Sequence, residues 1–126
     1  MRLYMQPVIN PNDIINNWHW FAKHSNIDEP AEMVMAKCLA RQYKMLEGIM
    51  DDKQISLVTY QMRKTLCIVT SIYSISHARK MRELFFDYLR INENATMLEA
   101  KTLVNPKVFA RFSTMERAYT VFRKVL

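Results

Sequence analysis

A chain of 126 residues with a single glycine, Gly48, has few places where its backbone can reverse tightly. At the usual share of about 7% it would carry roughly nine. Two-residue hairpins need residues that tolerate positive φ, and glycine is the default supplier. This near absence argues against a sheet closed by tight turns. It predicts an all-α, single-domain bundle of about five or six helices with no sheet, punctuated by Asn, Asp and Ser. The length suits one domain over 1–126. Residues 1–11 read as an extended N-terminal arm, because they hold Pro7 and Pro11.

The apolar spacing supports helices along most of the chain. Asn12 can cap a helix over Asp13 to about His24, with Ile14, Ile15, Trp18 and Phe21 or Ala22 inward. A second helix opens near Asp28 to Pro30 and carries Met35, Cys38, Leu39, Leu46 and Ile49 inward, until Gly48, Asp51 and Asp52 stop it. Residues 54–75 are rich in β-branched side chains, which suit strands. Ile55, Val58, Met62, Leu66, Val69 and Ile72 nevertheless recur at three- and four-residue steps, so a helix is expected there too. Beyond a break at Ser74 to His77, the stripe Met81, Leu84, Phe85, Tyr88 and Leu89 marks another helix. Capping-box patterns at Thr96 to Glu99 and Ser113 to Glu116 open two more. The last of these carries Met115, Ala118, Tyr119, Phe122 and Val125 on one face.

Chemistry-bearing patterns are scarce. Cys38 and Cys67 lie in apolar surroundings and read as buried free thiols of a reducing compartment. The first residues lack a secretory apolar core, and the longest apolar run, Leu66 to Ile75, is too short to cross a bilayer. A cytoplasmic protein without membrane contact is expected. His19 and His24 would point about 140° apart on a helix, so no metal site is expected. No nucleophile elbow, phosphate-cradling glycine loop or dinucleotide fingerprint is present. The expectation is therefore a non-enzyme with no catalytic residue and no cofactor. Of the two tryptophans at Trp18 and Trp20, one is expected in the core and the other is left for a partner.

Charge is the remaining signal. Residues 1–62 hold six Lys or Arg against seven Asp or Glu, whereas residues 63–126 hold twelve against five. Such an excess suits an acidic partner. Arg79, Arg82, Phe86 and Arg90 follow at helical steps on one face, with Phe86 placed to stack on a base or anchor a partner. Arg117, Arg123 and Lys124 line the last helix, preceded by Lys107 and Arg111. These nine residues form the candidate surface, and neutralising phosphates would be its mechanism.

From Leu89 onward, Leu-Arg-Ile-Asn-Glu, then Ala95-Thr96-Met97-Leu98, Thr102-Leu103, Pro106 and Val121-Phe122-Arg123 resemble part of the FlhD subunit of the bacterial flagellar master activator. With the preceding helix, the resemblance runs over residues 72–123. It implies an all-α, oligomeric transcription activator subunit that binds promoter DNA with a zinc-containing partner subunit. The function expected from the sequence is a non-enzymatic regulatory or accessory protein contacting nucleic acid, DNA foremost, as a homo-oligomer or hetero-complex. The alternative is a helical adaptor or inhibitor, of viral or mobile-element type, that grips an acidic protein.

Overall fold

A computed structural model describes residues 1–20, 29–101, 115–118 and 121–126. It corrects the all-α expectation: the chain is a mixed α/β fold around a twisted sheet. In chain order the elements are β1 (Leu3–Pro7), α1 (Pro11–Asn16), α2 (Ala31–Leu39), β2 (Lys44–Met50), β3 (Lys53–Arg63), β4 (Leu66–Ser74), α3 (Ala78–Asn92), β5 (Met97–Lys101), β6 (Met115–Ala118) and β7 (Val121–Val125). Among the described residues the sheet has seven strands in the order β1-β2-β3-β4-β5-β7-β6. Strands β1 to β4 form an antiparallel meander. Strand β5 returns parallel to β4 by way of α3, and β7 and β6 complete the far edge antiparallel. The arm expected over 1–11 contains the edge strand β1, and Met97 to Glu99 and Met115 to Glu116 of the capping-box segments have strand backbone in place of helix, Ser113 and Thr114 lying outside the described residues.

The glycine argument fails because other residues take up its conformation. Arg41, Asp51, Asp52, Lys64, His77 and Asn94 all have positive φ. Asp51 (φ 48°) and Asp52 (φ 68°) form the two-residue turn between Met50 and Lys53. The Asp51 carboxylate also accepts the Arg2 amide at 2.8 Å. Left-handed backbone costs an L-residue about 1–2 kcal/mol, least for Asn, Asp and His, so turns without glycine are affordable in a sheet this well packed. Arg41 (φ 61°) ends α2 early, after which the Gln42 and Tyr43 amides both donate to the Lys37 carbonyl at 2.9 and 3.1 Å. Leu46 and Ile49 therefore lie on a strand and not on the expected long helix.

The misleading period of residues 54–75 also has a physical cause. Every residue from Ile55 to Tyr60 is buried, because helices cover both faces of the sheet there. A strand buried on both sides shows no polar alternation, so any three- or four-residue spacing among its apolar residues is incidental. The true period of two appears in the packing. Leu46 and Val58 face α3 with Tyr60, Cys67, Val69, Phe85, Leu89 and Leu98. Their neighbours Met45 and Leu57 face α1 and α2 with Val8, Ile14, Trp20, Val34 and Cys38. Tyr60 and Phe85 meet edge to face at 5.7 Å between ring centroids, a geometry worth about 0.5–1.5 kcal/mol beyond burial.

Gly48 has a packing role. A Cβ there would lie 2.4 Å from the Met81 sulfur and 2.8 Å from Ser56 Cβ. The missing side chain lets α3 settle on β2. Burial pushes the thiols of Cys38 and Cys67 up to about 12. Among the described residues no helix is long and apolar enough to cross a membrane.

Candidate functional site

Among the described residues, the pairing of β4 with β5 stops short of the end of β4, and this seam is the candidate site. Strands β4 and β5 pair from Leu66 opposite Met97 to Val69 opposite Ala100, yet β4 continues to Ser74. At the same level a bulge lies on the other side of β4. Tyr60 pairs with Val69 and Thr59 with Ser71, so Thr70 is an extra residue on β4. Such a bulge bends its strand and increases the twist. The Thr59 side chain, fully buried, is bonded to both hydroxyls across from it: Thr70 Oγ1 at 2.7 Å and Ser71 Oγ. A hydroxyl carries one proton, so Thr59 donates to one of them and accepts from the other. The neighbour that accepts the hydrogen bond from Thr59 keeps its own hydroxyl hydrogen for another acceptor. Further along, Ser74 Oγ donates to Ser56 Oγ at 2.8 Å, which donates to the Tyr73 carbonyl at 2.8 Å.

The end of β4 leads directly into α3. His77 makes the turn in left-handed backbone (φ 52°, ψ 36°), and its carbonyl accepts the Met81 amide at 2.9 Å. Histidine is among the residues that tolerate this conformation. No side chain caps the helix, and its first turn holds no acidic residue. Arg79 and Lys80 are exposed there. An uncapped helix N-terminus beside two cations is a favourable place for an anion, because backbone amides and the helix dipole point at it.

The residues singled out from sequence are dispersed. Arg79, Arg82, Phe86 and Arg90 do lie on α3, but they form no common outward face. Phe86 is buried in the core with Phe85, 6.1 Å away between ring centroids, and the Lys124 ammonium lies 5.9 Å from its ring. Arg82 is half-buried. Arg90 pairs with Asp87 at 2.8 Å and Arg79 with Glu83 at 3.5 Å. Arg123 on β7 pairs with Glu99 on β5 at 3.3 Å. Arg117 lies on β6 opposite Phe122, and Lys107 and Arg111 fall outside the described residues. Of those among the described residues, only Arg79 stands at the anion-favouring helix end, beside Lys80, which the periodicity argument passed over. The hydroxyls of Thr59, Thr70, Ser71 and Ser74 were also missed. Their signal was present in the sequence, as polar residues spaced through an apolar run. Trp20 is buried edge-on to Tyr73 at 5.3 Å, and Trp18 is exposed.

A meander, a bulged fourth strand, a parallel fifth strand and a helix between them are arranged as in solved N-acetyltransferases, a likeness of fold. Solved structures match the chain over its whole length. The ribosomal-protein-S18-alanine N-acetyltransferase from Escherichia coli is 11% identical with a TM-score of 0.71, covering 98% of this chain and 94% of its own. The N-acetyltransferase PseH from Campylobacter jejuni, in complex with acetyl coenzyme A, is 12% identical with a TM-score of 0.66, covering 99% and 98%. The PaiA N-acetyltransferase from Thermoplasma acidophilum, in complex with coenzyme A, is 10% identical with a TM-score of 0.62, covering 100% of both chains. A similar match from Desulfovibrio desulfuricans is assigned to the GNAT family. No protein-family model matches this sequence, and neither does any curated protein.

These matches overturn the functional expectations. The FlhD-like resemblance implied an all-α fold, whereas residues 97–101 and 121–125 are β5 and β7 and the matching structures are N-acetyltransferases. With the all-α fold goes the oligomeric, DNA-contacting regulator built on it, and with it the helical adaptor for an acidic protein. The expectation of a non-enzyme is likewise corrected, since the fold is one carried by N-acetyltransferases.

Proposed function

We propose that this chain binds an acyl-coenzyme A and transfers its acyl group to an amine. The observation that carries this reading is the seam: β4 runs on past its described pairing with β5, which stops at Val69 beside the Thr70 bulge, to the uncapped N-terminus of α3. The fit to the cofactor is one of charge and shape. A pyrophosphate needs converging donors, and the first-turn amides supply them with Lys80 and with Arg79, whose exposed pair with Glu83 at 3.5 Å a phosphate would compete for. An extended pantetheine arm needs a strand edge to pair with, and β4 runs on to Ser74 beyond its described pairing with β5. The bound cofactor would supply an acyl thioester, which is activated toward attack by an amine.

The chain's own part is to position and to polarise. Arg79 and Lys80 hold phosphate, as charge-assisted donors. The hydroxyl left with its proton at the Thr70–Ser71 bulge donates to a carbonyl oxygen brought into the seam, where burial strengthens the interaction. Thr59, bonded to both, sets the direction of that donor.

The test is thermal unfolding and calorimetry with coenzyme A, followed by release of thiol from acetyl-coenzyme A in the presence of an amine panel. At a hundredfold excess over Kd, binding adds about 2.7 kcal/mol, on the order of 10 °C in Tm for a chain of this size. Arg79→Glu with Lys80→Glu should remove most of that rise. No saturable binding of coenzyme A at millimolar concentration would refute the reading.

A further inference from the structure

A second concavity lies at the opposite end of the sheet. It has a volume of about 290 Å³ and is walled by Val8, Ile14, Met45 and Leu46, with Tyr60 and Tyr88 at one side. The C-terminal ends of α2 and α3 contribute Arg41 and Glu93, and β2 contributes Lys44 at its start. Tyr88 lies ten residues along α3 from Ala78, about 15 Å at the helical rise. The pocket is therefore separate from the seam. A volume at the lower end of the range for ligand pockets suits a small molecule.

Its charges decide which kind. The lining holds two cations and one carboxylate. That carboxylate is already engaged: both Glu93 oxygens accept from the Lys44 ammonium, at 2.8 and 2.7 Å, and its side chain is only 12% exposed. The Lys44 side chain is 54% exposed, so its head remains open to a second acceptor. Arg41 is exposed at the rim and makes no salt bridge among the described residues. An amine would have to displace Lys44 from Glu93, whereas an anion meets two available cations without breaking any bond. We propose that this pocket binds a small monoanion with an apolar body, a carboxylate whose chain lies against Val8, Ile14 and Leu46 and whose head meets Arg41 and Lys44.

Sodium octanoate is a suitable probe, with n-octylamine hydrochloride as its cationic counterpart, titrated by calorimetry and by amide chemical shifts. Octanoate should bind saturably and move the amides of Val8, Ile14 and Leu46, and octylamine should bind more weakly. Arg41→Asn should weaken octanoate about fivefold, the size of one exposed ion pair. That variant places asparagine at a φ of 61°, which asparagine favours, so lost binding cannot be put down to lost folding. Ile9→Asp, at an exposed rim position, should weaken it by repulsion. The proposal is overturned if octylamine binds as tightly as octanoate. It is also overturned if neither variant weakens octanoate, or if the shifts fall on Ser76 to Lys80.

Discussion

Replacing Gly48 with alanine sets two physical effects against each other. Glycine inside a strand costs roughly 0.5–1 kcal/mol relative to alanine, through chain entropy, so backbone reasoning alone makes Gly48→Ala stabilising. The packing gives the opposite sign. The new methyl would lie 2.4 Å from Met81 Sδ and 2.8 Å from Ser56 Cβ, where non-bonded heavy atoms settle near 3.5–4.0 Å. Ser56 pairs directly with Gly48 across β2 and β3, so relief on that side means spreading two paired strands. Met81 is 2% exposed and has little free space. Overpacking of this kind costs about 1–3 kcal/mol. Less the entropic gain, Gly48→Ala should destabilise by about 0.5–2 kcal/mol, read from the urea midpoint at unchanged slope. The cause is isolated by a double-mutant cycle with Met81→Ala. Met81→Ala alone should cost about 2–5 kcal/mol, and Gly48→Ala should cost less in that background because one of the two clashes has gone. A Gly48→Ala protein as stable as the parent, or a strictly additive cycle, would refute the reasoning.

Three further outcomes are expected. Thr59→Val keeps the shape but strands the hydroxyls of Thr70 and Ser71; it should cost about 1–3 kcal/mol in urea unfolding and weaken coenzyme A binding, and unchanged stability would show that the bulge needs no such bond. Asp52→Gly relieves a left-handed residue at φ 68° and should raise stability by about 0.5 kcal/mol, the strain released less the chain entropy added. Cys38 and Cys67, pushed by burial from the ordinary 9.0 up to about 12, should resist Ellman's reagent in the native state and react fully in denaturant. The folded state favours their neutral form, so the stability they contribute is complete below 9.0 and declines as pH rises toward about 12.

The parts legible in the sequence are those whose burial is one-sided. Met81, Phe85 and Leu89 are buried on α3 while Arg79, Lys80 and Glu83 stay exposed. That contrast is the helical signal the apolar stripe carried. Strand β3 has no such contrast, because helices cover both of its faces, so its β-branched composition was the better guide than its spacing. The absence of glycine misled because it was read as the absence of positive φ, and Asp51, Asp52, Lys64 and His77 show that the conformation outlives the residue. The candidate site was illegible for a different reason. Thr59 and Ser71 are distant in sequence and meet only through strand register, and Thr70 stands beside them only as an extra residue in that register. The cations were visible, but the sorting of Arg79 to a helix end and of Phe86 to the core depends on packing that periodicity alone does not reveal.

The crossover through α3 also shapes how the molecule is assembled. Strands β2, β3 and β4 are joined by two-residue turns, so their ladders close over short lengths of chain. The pairing of β4 with β5 must wait for α3 to be laid down between them, as Val69 and Ala100 come together only across that helix. Non-local pairing of this kind bears the larger loop-closure cost and forms late. Contacts of that kind also tend to open before the whole structure does. The meander is thus expected to form first, and the boundary expected to close after it is the one at which the proposed ligand would sit.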